Sequence, residues 1–135
     1  MVRRDYTKPE TLKAHDQIEE IIVDMDAHKA PEKRKKIFIS LPMSGRDETD
    51  ILDQFNKIAD KFKENYDVID QYHQEEDPNG INRYSPIWYL GHSIQLMRTA
   101  DLVVFSRDWF VARGCIIEHR ICEYYDLPHL ELRDI

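Results

Sequence analysis

Two kinds of apolar pattern take turns along this chain. Short runs of β-branched and aromatic residues alternate with longer stretches in which apolar residues recur every three or four positions. Ile18, Ile21, Ile22 and Met25 mark a helix over residues 11–28, with acidic residues on its other faces and Pro31 closing it. Residues 37–41 read as a buried strand stopped by Pro42, and residues 43–47 as a loop. Ile51, Leu52, Phe55, Ile58, Ala59 and Phe62 repeat at helical spacing, and residues 66–70 make a second short strand. The polar stretch 71–85, which holds Asp77-Pro78-Asn79-Gly80, is longer than a simple connection requires; such loops are often functional. A second helical stripe over residues 86–99 carries Ile87, Leu90, Ile94 and Met97 on one side. Residues 101–105 form the clearest strand of the chain. A loop over 106–114 then leads into a helix over 115–125, expected to turn Ile116, Ile117, Ile121 and Tyr124 inward, and residues 128–132 make the last strand.

Strands alternating with helices imply βαβ units, a parallel sheet of about four strands and right-handed crossovers. The expected organisation is a helical extension over residues 1–35 followed by an α/β domain over 36–135.

At 135 residues the chain is one domain's worth, able to bury roughly two-thirds of its unfolded surface without disulfides or a structural metal. With 19 Lys and Arg against 26 Asp and Glu, its net charge of -7 repels phosphate backbones, so general nucleic-acid binding is disfavoured. No window approaches the ~18 consecutive apolar residues of a membrane span. The start, Met1-Val2-Arg3-Arg4-Asp5, leads into polar sequence and not into a signal-peptide core, so a soluble, cytoplasmic protein is expected. Cys115 and Cys122 stand seven residues apart on one expected helix, about 10 Å along its axis, too far for a disulfide. Free thiols fit a reducing compartment. The histidines come without a CxxC or HExxH pattern, and His119 with Glu123 at i, i+4 reads as a surface contact; no metal and no cofactor are expected.

Ligands of open α/β sheets gather at the carboxyl ends of the strands. Three segments should meet there: the loop after the first strand, the loop after the 101–105 strand, and the start of the helix that follows. In the first loop, Pro42, Met43, Ser44, Gly45 and Arg46 offer backbone N–H groups, a hydroxyl and a guanidinium for a phosphate or sugar. Glu118 lies near the start of the last helix, where the helix dipole favours its ionised form. An ionised carboxylate there can attack an electrophilic sugar carbon; the alternative is a solvent-exposed helix glutamate or a cap partner. Trp109 and Phe110 fit either a stacking platform for a nucleobase or core cover. Asp101 fits either an acceptor for backbone N–H groups or an acid. The run Glu32-Lys33-Arg34-Lys35-Lys36 fits either a solvated connector or an anion patch.

Ile37-Phe38-Ile39-Ser40-Leu41-Pro42-Met43-Ser44-Gly45-Arg46, then Ala100-Asp101-Leu102-Val103-Val104, then Trp109 with Arg113-Gly114-Cys115-Ile116-Ile117-Glu118-His119, resembles the nucleoside 2-deoxyribosyltransferase-like superfamily, and within it a short branch from bacteria and phages. The likeness covers roughly residues 36–132 and leaves out the N-terminal helix. It implies a flavodoxin-like (Rossmann-like) three-layer sandwich, usually assembled into homo-oligomers, that cleaves or transfers at the N-glycosidic bond of a small nucleoside or nucleotide. Apart from the resemblance, the fold could serve only as an interaction scaffold, with the stripe on the N-terminal helix as an oligomer contact. The family's nucleophile, a glutamate at the start of the helix after a glycine, matches Glu118 after Gly114. Its substrate-binding blocks match Ser40, Pro42–Arg46, Trp109, Arg113 and Gly114, and its strand aspartate matches Asp101. The family's transferases also place an aspartate roughly eight residues before that strand aspartate. Here that position is Ser93, flanked by His92. A departing base needs a proton, and such assistance is typically worth about 10²–10⁴-fold. The resemblance therefore implies either that His92 or another acid such as Asp108 substitutes, or that the protein is a catalytically impaired nucleotide-binding or sensing module.

Overall fold

The computed structural model describes residues 34–71 and 76–135. The helix expected over 11–28, with the extension it belongs to, lies outside the described residues. From Arg34 to Ile135 the chain forms one unit. The first apolar run becomes β1 (Lys35–Ser40), followed by α1 (Glu48–Phe62), β2 (Tyr66–Val68), α2 (Ser85–Met97), β3 (Leu102–Phe105), a 3-10 turn (Trp109–Val111), α3 (Arg113–Tyr124) and β4 (His129–Glu131).

All strand pairs are parallel, in the order β2-β1-β3-β4. Each strand is joined to the next through a helix, as parallel pairing demands. Side chains alternate across the two central strands. Ile37, Ile39 and Val104 pack with Ile51, Phe55 and Ile58 of α1 on one face. Phe38, Val103 and Phe105 pack with Met97 of α2 and Cys122 of α3 on the other. This is the flavodoxin-like α/β sandwich, with helices on both sides of a sheet whose centre is buried on each face. Among the described residues, no helix is long and apolar enough to cross a membrane.

Two helices present different faces from those their apolar spacing predicts. On α2, Met97 is buried as expected, but Ile87 is 68% exposed. The first turn of α2 is anchored by Ser85, whose hydroxyl donates to the buried Asp77 carboxylate at 2.9 Å and accepts from the Asn82 N–H at 2.9 Å. With Ser85 inward, a residue two positions on is rotated by about 200° and faces solvent. On α3 the buried stripe is Cys115, Glu118, His119 and Cys122, while Ile116, Ile117 and Tyr124 are exposed; of the four residues expected inward only Ile121 packs against the core.

The end of α3 is set locally. Asp126 takes a positive φ of 54°, and the Leu127 N–H reaches back to the Cys122 carbonyl at 3.0 Å, a Schellman closure that turns the chain into β4. We expect Ile58→Ala, at a fully buried position under the sheet, to cost about 2–5 kcal/mol, and Ile87→Ala to stay within about 0.5 kcal/mol of wild type. Urea unfolding of the two variants measures both values.

Candidate functional site

The strand order reverses between β1, which connects outward to β2, and β3, which connects outward to β4. A crevice beyond the carboxyl ends of those two strands is the usual ligand position. Ser40 closes β1 and Ser106 follows β3, and the Ser106 N–H donates to the Ser40 carbonyl at 3.0 Å. Strand alternation puts Ser40 on the Phe38 side of the sheet, toward α3. Its hydroxyl donates to Glu118 Oε1 at 3.2 Å and also bonds with the Cys115 thiol. Glu118 is 6% exposed, and its Oε2 has no hydrogen-bond partner among the described residues.

Burial pushes the Glu118 carboxyl up from 4.5 to about 7, against the opposing pull of the Ser40 hydroxyl. Burial thus opposes the preference for the ionised form that the helix dipole was expected to supply. Since α3 begins at Arg113, Glu118 is its sixth residue, beyond the first turn where the dipole is felt. Burial likewise pushes the free thiols Cys115 and Cys122 up to about 12 and about 11, which leaves them protonated and unreactive.

A second polar chain runs beside this pair. Arg46 Nη1 donates to the Pro42 carbonyl and to Gln54 Oε1, both at 2.7 Å. Gln54 donates onward to Asp108 Oδ1 at 3.2 Å, and the Ser106 hydroxyl donates to the same oxygen at 2.7 Å. Burial works against ionisation of Asp108, but the hydrogen bonds from Ser106 and Gln54, together with the Arg46 charge, hold it below its ordinary value. Asp108 is therefore an ionised acceptor, unsuited to donating a proton to a departing base. Arg46 serves Asp108 and makes no hydrogen bond to Glu118; the two groups are joined through the Ser106–Ser40 backbone bond.

The remaining sequence-predicted residues are dispersed to different degrees. Residues 43–46 form a tight turn closed by the Arg46 N–H on the Met43 carbonyl at 3.2 Å, and Gly45 supplies the φ of 72° that the turn requires. Pro42 is buried, whereas Met43, Ser44 and Arg113 are exposed and Gly114 is half-buried at the start of α3. Trp109 stacks on His119 with ring centroids 4.0 Å apart, so one of its faces is already covered, while Phe110 is 61% exposed. Asp101 precedes β3, at the opposite end of the sheet. Its Oδ2 accepts from the Lys36 N–H at 2.8 Å and its own N–H donates to the Lys36 carbonyl at 2.8 Å, which is the backbone-acceptor role. His92 stacks on Trp88, and Ser93 is half-buried beside it; neither hydrogen-bonds to Glu118. A surface hollow lined by Asp77, Asn79, Asn82, Tyr84, Ile87 and Trp88 shares no residue with this site.

No family model, curated protein or solved structure matches this chain. The chemistry is accordingly that of the residues themselves: a buried carboxyl poised near neutrality, a serine that orients it, and a guanidinium held one network away. Gln54 and Ser106 carry part of this network and escape a reading of the sequence. Ser106 had one signal, a hydroxyl immediately after a buried strand, while Gln54 had none.

Because Glu118 binds its proton more tightly folded than unfolded, its contribution to stability is fully present below about pH 4.5 and is lost as the pH rises through about 7. The loss amounts to roughly 3 kcal/mol. Denaturant unfolding across this range is expected to reveal the decline in wild type, and its disappearance in Glu118→Gln, which cannot ionise.

Proposed function

We propose that the protein cleaves or transfers the N-glycosidic bond of a small nucleoside or nucleoside monophosphate, with Glu118 as the nucleophile at the anomeric carbon. The observation that carries this reading is the unpartnered Oε2 of a buried carboxyl at the strand-order reversal. A buried polar atom left without a partner typically costs about 1–3 kcal/mol, which a bound substrate group relieves. A carboxyl raised to about 7 is substantially ionised at neutral pH yet shielded from water, a suitable state for a nucleophile.

In the proposed reaction the ionised Oε2 bonds to the anomeric carbon while the C–N bond breaks, its electron pair leaving with the base, which takes up a proton from solvent. Water or a second base then attacks the same carbon and frees the carboxylate. Ser40 orients the carboxyl by donating to Oε1. Among the described residues both Arg46 side-chain bonds use Nη1, which leaves Nη2 and Nε as donors for a substrate phosphate or sugar hydroxyl.

A second reading is a nucleotide-binding or sensing module without efficient chemistry. It is favoured by Ser93 standing where the resembled transferases have an aspartate, and by Asp108 being held ionised, so that neither supplies an acid to a departing base. Two further points complete the proposal. The buried free thiols favour a reducing, cytoplasmic setting. Ile116, Ile117 and Tyr124, exposed on α3, favour assembly into a homo-oligomer.

Incubation with a panel of nucleosides and monophosphates, followed for free base, is expected to yield base with wild type and at least ~10³-fold less with Glu118→Gln. The wild-type rate is expected to rise with pH through about 7 as Glu118 ionises. Arg46→Ala is expected to raise KM roughly 10–100-fold for monophosphates and little for nucleosides. A ligand that stabilises the protein and is recovered intact supports the binding module; neither base release nor any thermal shift rejects both readings.

A further inference from the structure

A different polar group assembles between α3 and β4. His119, 9% exposed, faces two carboxylates: its Nδ1 lies 3.1 Å from Glu123 Oε1 and its Nε2 lies 2.6 Å from Glu131 Oε1. A neutral imidazole has a single N–H and satisfies only one of them. The other nitrogen then directs a lone pair at an anionic oxygen, unless a proton or a metal cation stands between. His129 adds a second lone pair. Its Nδ1 lies 2.8 Å from the Leu127 carbonyl, which can only accept, so Nδ1 carries the proton and Nε2 is left as a donor to metal. One ligand atom from each of His119, His129 and Glu131 falls within 4.8 Å of the others.

We propose that His119, His129 and Glu131 form a binding site for a divalent transition-metal ion of the Zn²⁺ class, with Glu123 orienting His119 as an outer partner. Two imidazoles and one carboxylate are the donor set of open zinc and non-haem iron sites. Bond lengths of about 2.0–2.2 Å place neighbouring ligand atoms about 3.3 Å apart around a tetrahedral ion. The 2.6 Å contact between His119 and Glu131 must therefore open by less than ~1 Å, which the Glu131 side chain, 48% exposed, can supply by rotation.

The rings are already held. His119 is stacked on Trp109 and meets Phe105 edge-on, and His129 meets Phe105 edge-on from its own side. The Nδ1 contact of His119 with Glu123 reproduces the carboxylate–histidine arrangement that fixes tautomer and ring orientation at metal centres. Exposure of Glu131 leaves room for water at the remaining position. An ion here joins β4 to α3 one residue from Glu118, and so braces the helix that carries the candidate nucleophile.

The test uses chelator-stripped full-length protein, titrated with Zn²⁺ by calorimetry and with Co²⁺ by visible ligand-field absorption. One equivalent is expected to bind, with a thermal midpoint that rises with Zn²⁺ and Co²⁺ bands of four-coordinate intensity. Glu131→Gln and His129→Ala should each abolish the bands, and Glu123→Gln should weaken binding by about 10–100-fold. Glu131 is a surface side chain, so its variant keeps the test valid if His129→Ala misfolds. Absence of binding by wild type, or wild-type affinity and spectra in Glu131→Gln, overturns the site.

Discussion

The parallel pairing of β1 with β3 imposes both the core and the site. Its register runs from Ile37 opposite Leu102 to Ser40 opposite Phe105, and the strands are buried from Ile37 and Val103 onward. A slip of one residue would send Ile37 and Ile39 to the α3 side and Phe38 and Ser40 to the α1 side. Each large side chain held in place by the observed register contributes on the order of 1.5–3 kcal/mol. That sum holds the register firmly, and Ser40 is carried to Glu118 by the hydrophobic residues next to it in the chain. A hydrogen bond worth about 1 kcal/mol is thus positioned by forces several times larger.

Glu118 illustrates how two electrostatic effects are ranked by size. A carboxylate in the first turn of a helix gains about 0.3–1 kcal/mol from the dipole. A rise from 4.5 to about 7 corresponds to roughly 3 kcal/mol against ionisation. Burial wins, and it wins more easily because the residue lies past the first turn. The structure tolerates the carboxyl because one oxygen is satisfied by Ser40 and the proton can be retained near neutral pH.

Successive residues of α3 serve different neighbours because a helix rotates by about 100° per residue. Glu118 turns toward Ser40 at the end of β1, and His119 turns toward Trp109 and Glu131. The inward stripe Cys115, Glu118, His119 and Cys122 follows the same three- and four-residue spacing as an apolar stripe, but its polar members are each met by a partner from another element. With those partners in place the helix can leave Ile116 and Ile117 outside. Hydrophobicity alone would have faced them inward.

The sequence by itself determined the element order and the parallel α/β architecture, because strand alternation and helical periodicity are local consequences of side-chain geometry. It also brought Glu118 and the turn at residues 43–46 forward as candidates, since glycine, strand ends and helix starts leave local marks. Strand limits differed by a residue or two: residues 66–70 were expected where β2 covers Tyr66–Val68. Tertiary structure alone decided which face of α2 and of α3 is buried, because two stripes of equal period compete and only the packed partners select one. It alone linked Arg46 to Asp108 through Gln54, paired Asp101 with the Lys36 N–H, and brought His129 and Glu131 to His119. Those contacts join residues from separate elements, and no local pattern in the chain encodes where two elements will meet.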